Sequence, residues 1–257
     1  DGMFSAKNFI KPVSIEEAYE LNQKRANRII GGMCWLRLSD SNFQNIIDLS
    51  GLGLDKIEED ESGFRIGAMA TLRMTEKHEE INKAFCSVPE ECVKNIVGVQ
   101  FRNLATIGGS IWSRFGFSDL LTAYMALDAD VELYKGGRVK LCDFAKMKPD
   151  NDILTGIYVP KKKLKAAYKT IRNTKTDIPV ITCCVCINDG GIDVVVGARP
   201  KKAELLHFEN GVSADTIADR CMKELSFGAN MRAGEEYRRH TAGVLIRRCL
   251  AEVEYAY

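Results

Sequence analysis

Two glycine pairs, Gly31-Gly32 and Gly108-Gly109, are the positions in this 257-residue chain best suited to meeting a ligand, and each follows β-branched residues, Ile29-Ile30 and Thr106-Ile107. A diglycine at a strand end lets the backbone turn with its amides exposed and lets a ligand approach where a Cβ would intrude. Two such loops could hold a pyrophosphate, or they could be two plain tight turns, and spacing alone favours the turns. Other chemistries fail on pattern: the chain has no G-x-x-x-x-G-K-[ST] loop, no G-x-G-x-x-G fingerprint, no H-E-x-x-H and no G-x-S-x-G elbow. His78, His207 and His240 lie far apart in polar stretches, so each reads as a surface residue and none as a metal ligand. Cys183-Cys184-Val185-Cys186 sits in a strand pattern, where side chains alternate faces and cannot converge on one metal, so small core residues are expected there. An iron–sulfur cluster needs four thiolates in loops at close spacing, and this chain is not expected to hold one of its own. Lys161-Lys162-Lys163 reads as a solvated boundary rather than a phosphate clamp.

Composition narrows the partners. Hydrophobic residues at 46% and charged residues at 28%, with 21 Gly and 6 Pro, fit a globular chain and exclude disorder or a fibre. Lys plus Arg at 36 against Asp plus Glu at 35 leaves a formal charge of +1, so nothing global attracts nucleic acid. Nine cysteines, an odd number with no repeated spacing, argue for free thiols in a reducing compartment, and a cytoplasmic location is expected. No apolar run is long enough to span a bilayer, and Asp1-Gly2-Met3-Phe4-Ser5 lacks the basic start and apolar stretch of a leader.

The elements that must position the glycine loops follow from caps and periodicity. Ser14-Ile15-Glu16-Glu17 has the S-x-x-E pattern that starts a helix, and Ile29-Ile30 reads as a short buried strand running into Gly31-Gly32. Strands are expected over 45–49, 56–58 and 64–67. A helix follows Pro89 over 90–97, ending at Gly98, and Ser118 caps another over 119–127. Lys135-Gly136-Gly137 joins strands 131–134 and 139–141 as a hairpin, and strand 153–159 stops at Pro160. Beyond it come strands over 167–172, 180–187 and 192–196, with Asp189-Gly190-Gly191 as a turn, and closing helices over 214–225 and 235–254. The order predicts an α+β arrangement with a boundary near residue 160.

Several blocks then resemble one family. Phe101-Arg102-Asn103-Leu104-Ala105-Thr106-Ile107-Gly108-Gly109-Ser110-Ile111, followed by Ser118-Asp119-Leu120-Leu121 and Ala126-Leu127-Asp128-Ala129, is similar to the R-N-x-A-T-I-G-G-N-I … S-D-L … A-L-D-A signature of the FAD-binding medium subunit of molybdenum hydroxylases, the xanthine dehydrogenase and carbon monoxide dehydrogenase family. Ile30-Gly31-Gly32 resembles its earlier A-G-G-T loop and Arg65-Ile66-Gly67-Ala68 its R-I-G-A strand, while Asp177-Ile178-Pro179-Val180 and Glu236-Tyr237-Arg238-Arg239 match C-terminal blocks. The resemblance covers essentially the whole chain and reverses the balance on the two glycine loops. It implies a flavin fold of the vanillyl-alcohol oxidase (PCMH) type, with two α+β subdomains in an FAD-binding domain over 1–160 and a smaller α+β domain over 161–257.

The same resemblance implies the site. Ile29, Ile30, Gly31, Gly32, Met33, Cys34, Trp35 and Leu36 form the first loop, and Ala105, Thr106, Ile107, Gly108, Gly109 and Ser110 the second, their amides holding the FAD pyrophosphate. Asp119 matches the ribose side, Ile153 and Leu154 an apolar wall, and Lys169 and Asp177 polar contacts near the ring, with Ser118 also among the cofactor-binding residues. Trp35 and Trp112 stand either as cofactor contacts or as packing residues. Met33-Cys34-Trp35 departs from the family's small polar residues, Ser110 replaces its Asn, and Gly116 stands where Pro is frequent, so side-chain hydroxyl help to the phosphates is missing. The implied function is the FAD-dependent electron-transfer subunit of a heteromeric molybdenum hydroxylase, an oxidoreductase flavoprotein. It would receive electrons from a [2Fe-2S] small subunit beside a molybdopterin-binding large subunit and pass them to NAD or another acceptor. No side chain of this chain is assigned as acid, base or nucleophile. The alternatives are a non-catalytic scaffold or assembly subunit with a degenerate flavin site, and a free-standing flavin reductase.

Overall fold

Residues 3–255 are described by the computed structural model, and Asp1 and Gly2 of the opening segment lie outside the described residues. The chain opens with β1 (Ser5–Ile10), α1 (Ile15–Asn22), β2 (Asn27–Ile30) and β3 (Asn42–Asp48). Ser14 caps α1 as its spacing predicts: its hydroxyl accepts from the Glu17 amide at 3.1 Å, and the Glu17 carboxylate accepts from the Val13 amide at 2.7 Å. The three strands form a parallel sheet in the order β1-β3-β2, with Ala18 of α1 packed on Ile47 and Leu49.

The middle of the chain is an antiparallel sheet interrupted by a run of short helices. After β4 (Ile57–Glu59) and β5 (Gly63–Gly67) come α2 (Leu72–Lys77), α3 (Glu79–Ala84), α4 (Val88–Val93), α5 (Val99–Arg102), α6 (Ile107–Trp112) and α7 (Asp119–Ala126). Then β6 (Asp130–Leu133), β7 (Gly137–Lys140), α8 (Leu141–Phe144) and β8 (Leu154–Pro160) complete a sheet in the order β4-β5-β8-β6-β7. The helix expected over 90–97 is shorter and earlier, because Ser87 (φ 61°) and Val97 (φ 50°) turn left-handed on either side of it. His78 is not a plain surface residue: it is half-buried, its Nδ1 accepts from the Ile81 amide at 3.4 Å to cap α3, and its ring meets the edge of Phe64. His207 and His240 are exposed.

The last part is the antiparallel sheet β9 (Leu164–Ile171), β10 (Ile181–Asn188), β11 (Gly191–Gly197) and β12 (Glu204–Phe208), in the order β12-β11-β10-β9, with α9 (Ala214–Glu224) and α10 (Glu235–Glu252). Strand alternation divides its cysteines as expected. Cys184 and Cys186 join the core shared with α7 and the five-stranded sheet, while Cys183 and Val185 join the core with α9 and α10. Among the described residues no helix is long and apolar enough to cross a membrane, and no group of three or more His, Cys, Asp or Glu could hold a metal.

Candidate functional site

A cavity of about 740 Å³ opens where the parallel sheet, the helical middle of the chain and the segment after β9 meet. Volumes of roughly 300–1,000 Å³ are those of small-molecule and cofactor sites. Its walls collect residues 29–36, Ala105, Thr106, Gly108, Gly109, Ser110, Trp112, Ser118, Asp119, Ile153, Leu154 and Asp177, so the site expected from the sequence is assembled almost entire. Two expected residues do not reach it. Ile107 is 0% exposed because its side of α6 faces the core. Lys169 lies on the α10 face of β9, where its ammonium donates to Glu252.

The two glycine loops differ in kind. The first leaves the end of β2, bends at Met33 (φ 57°) and closes in a single 3-10 turn over Leu36–Leu38. Among the described residues the amides of Gly32, Met33, Cys34, Trp35 and Leu36 have no backbone or side-chain acceptor, although each of these residues lines the cavity. Donors left without a protein acceptor beside a cavity are the kind of group an anion accepts from. The second pair is not at a strand end: Thr106 is the N-cap of α6, its hydroxyl accepting from the Gly109 amide at 3.1 Å. The Ile107 amide donates to Ala70 O at 2.9 Å, Gly108 to Ala68 O at 2.7 Å and Ser110 to Thr106 O at 3.1 Å. Among the described residues, Thr106 is thus the one position from 106 to 110 whose amide has no protein acceptor, so the two loops differ in the donors they leave free.

The glycines are needed for close approach. A Cβ on Gly32 would lie 1.9 Å from Leu104 O, one on Gly31 2.5 Å from Thr106 Oγ1, and one on Gly108 2.6 Å from Ala68 O. Gly109 differs, since its Cβ would meet only Thr106 Oγ1 at 3.1 Å. The two tryptophans differ in their surroundings. Trp35 is 49% exposed, so it is no core residue, while Trp112 is half-buried against Phe144 yet also lines the cavity. Burial pushes the Cys34 thiol above its ordinary range, with Arg37 opposing, which keeps it neutral.

Sequence reasoning missed the groups that hold Asp119. This carboxylate, 4% exposed at the start of α7, accepts from the Tyr168 hydroxyl and the Arg172 guanidinium. Burial raises its pKa and Arg172 opposes the rise. Arg172 also donates to Asp177 O, and the Asp177 carboxylate is clamped by Arg232 at 3.0 and 3.3 Å, which holds it below the ordinary carboxylate range. The signal lay in the strand period: 168, 170 and 172 share the face opposite Lys169.

Unpaired amides in a cavity of this size, with glycines where backbones touch, fit a pyrophosphate-bridged cofactor. The comparisons agree. Residues 3–162 match the family described as the FAD binding domain in molybdopterin dehydrogenase. The uncharacterized protein YgfM of Escherichia coli (strain K12) is 24% identical over 257 residues, covering 97% of each chain. The xanthine dehydrogenase FAD-binding subunit of Escherichia coli O157:H7 is 23% identical over 289 residues, again covering 97% of each. Among solved structures, reconstituted CO dehydrogenase from Oligotropha carboxidovorans superposes with a TM-score of 0.85 at 21% identity, covering 100% of this chain and 99% of that one. The chain belongs to the family of FAD-binding domains of molybdopterin dehydrogenases.

Proposed function

We propose that this chain is the electron-transfer flavoprotein subunit of a heteromeric molybdenum hydroxylase, joined by a molybdopterin-binding large subunit and a [2Fe-2S] small subunit. The observation that carries it is the run of amides without protein acceptors at Gly32–Leu36, residues that line the cavity. These amides hold the pyrophosphate, Ile153 and Leu154 supply an apolar wall, and Asp119, fixed by Tyr168 and Arg172, sets the polar end. When bound, FAD would supply the redox chemistry, exchanging one and two electrons between the iron–sulfur partner and NAD or another acceptor. The protein's share is to bind, orient and exclude water, with no side chain acting as acid, base or nucleophile. Residues 1–160 form the FAD-binding part and 161–257 a smaller domain that closes the cavity through Arg172 and Asp177. A separate subunit is supported by the relative of similar length whose name is that of an FAD-binding subunit. A cytoplasmic setting is supported by the free cysteines.

The test is the visible spectrum of the purified full chain with added FAD, followed by mixing with a reduced [2Fe-2S] partner and then NAD. The expected outcome is a bound flavin band that the partner bleaches and an acceptor restores. A colourless protein that takes up no FAD overturns the reading and favours a scaffold subunit, which the missing hydroxyls at Met33-Cys34-Trp35 would suit. Bound FAD oxidising NADH at full rate without any partner would instead indicate a free-standing reductase.

A further inference from the structure

Trp35 departs from the family pattern, and so does Gly116; the structure joins the two departures in one feature. Trp35 leans on Phe115 and Phe117, with ring centroids 6.0 and 5.7 Å away, and these two rings stack on each other at 5.0 Å and 11°. All three line the cavity, and Trp35 and Phe115 remain 49% and 38% exposed. Large rings left open to water forgo burial, yet the backbone that carries Phe115 and Phe117 is anchored on both sides. Arg114 turns left-handed (φ 48°), lays its guanidinium 3.7 Å from the centre of the Phe144 ring, and donates to Phe144 O at 3.1 Å and Trp112 O at 2.9 Å. Gly116 O accepts from the Ala198 amide at 2.8 Å, and a Cβ on Gly116 would meet Lys201 O at 3.0 Å, so glycine lets the 198–201 loop brace the aromatic pair from behind. The result is a pre-organised π surface beside the five unpaired amides of the first loop.

We propose that Trp35, Phe115 and Phe117 form a stacking subsite for the planar heteroaromatic ring next to the pyrophosphate of the bound dinucleotide. It takes over the affinity that hydroxyl side chains would otherwise contribute at Met33-Cys34-Trp35. Stacking suits a neutral ring, tolerates either the adenine or the flavin, and loses little entropy when the platform is already fixed. The proposal rests on the FAD reading above and is separable from it.

The experiment is calorimetric titration of the full chain with FAD, ADP and FMN, comparing wild type with Trp35→Ala, Trp35→Phe and Phe115→Leu, each checked by thermal melting. Trp35→Ala is expected to weaken FAD binding by about 5- to 150-fold, the scale of one aromatic–base stack, with an unchanged melting temperature because the ring is half-exposed. Trp35→Phe restores most of the affinity, and Phe115→Leu, which keeps bulk and removes the π face, shifts it in the same direction as Trp35→Ala. Dependence on Trp35 that appears with ADP assigns the ring as adenine, and with FMN as flavin. Wild-type or tighter FAD binding by Trp35→Ala overturns the subsite while leaving the FAD site standing. Failure of the wild-type chain to bind any of the three ligands overturns both.

Discussion

Gly32 and Gly109 each close a diglycine, and a methyl group separates them. On Gly32 it would lie 1.9 Å from a backbone carbonyl that cannot swing away, so Gly32→Ala must part the two loops. A loss of about 1–3 kcal/mol is expected in urea unfolding, the scale of overpacking. On Gly109 the methyl would meet only a hydroxyl at 3.1 Å, within a helix that prefers alanine. Gly109→Ala should therefore keep or raise stability, by up to about 1 kcal/mol, while weakening FAD binding because the methyl occupies cavity space. Melting curves and FAD titration separate the two effects, and undiminished binding by Gly109→Ala would show that the cofactor does not approach α6. Asp119 is the third decisive residue. Asp119→Ala leaves the Arg172 guanidinium buried without its anion, and removal of one partner of a buried pair costs about 3–5 kcal/mol. Asp119→Asn, which still accepts a hydrogen bond, should lose less in the same denaturation series.

At the scale of elements, the β4–β5 hairpin is organised by one carboxylate. Asp60 Oδ1 accepts from the amides of Ser62 and Gly63, both at 2.7 Å, from the Ser62 hydroxyl at 2.8 Å and from the Tyr158 hydroxyl on β8 at 3.0 Å. These donors lower its pKa from 3.8 to about 2. Because the folded value lies below the unfolded one, the unfolded chain binds more protons between them. The contribution is thus present above pH 4 and is lost as pH falls toward 2. Asp60→Asn should flatten the acid limb of a stability–pH curve in that window, and an unchanged limb would refute the assignment. The hairpins and long strands were legible because β-branched runs flank glycine turns, as at Asp189-Gly190-Gly191, and α1 and α7 because Ser14 and Ser118 announce them. Helices α2, α3 and α5 were not. Each is four to six residues, too short for a period, and the first two are fixed by caps at Thr71 and His78 and by burial of Leu72 and Ile81. The edge strand β12 was missed for a related reason: it is half-exposed and weakly alternating. The site shows the same limit. Gly31-Gly32 reads correctly as a strand end, whereas Thr106 looked like part of a strand and is a helix cap, and Lys169, expected from the resemblance, pairs with Glu252 away from the cavity that Arg172 lines.

For the whole molecule, the division near residue 160 marks a change of sheet that one apolar core crosses, while a second core lies beyond it with α9 and α10. Leu120, Leu121 and Tyr124 of α7 share one apolar cluster with Ala166 and Tyr168 of β9, Cys184 and Cys186 of β10 and Val195 of β11. Thr122 and Thr182 share a buried hydrogen bond of 2.8 Å across the same seam, and Asp119 and Arg172 an ion pair. A fragment ending at residue 160 would therefore expose the far side of α7 and leave Asp119 without Tyr168 or Arg172. It is expected to be aggregated or molten, binding a hydrophobic dye, whereas the full chain unfolds in one transition with tryptophan fluorescence and circular dichroism coinciding. Two separated transitions, or a soluble fragment with a cooperative melt, would show that the halves fold independently. Cofactor linkage tests the same continuity from the other side. Since Asp177 and Arg172 line the cavity from beyond β9, FAD at 100 times its Kd should stabilise both halves together, by about 2.7 kcal/mol. Amide exchange in β9 and β10 should then slow along with that in β2 and α6, and protection confined to the segment before residue 160 would place the cofactor on that part alone.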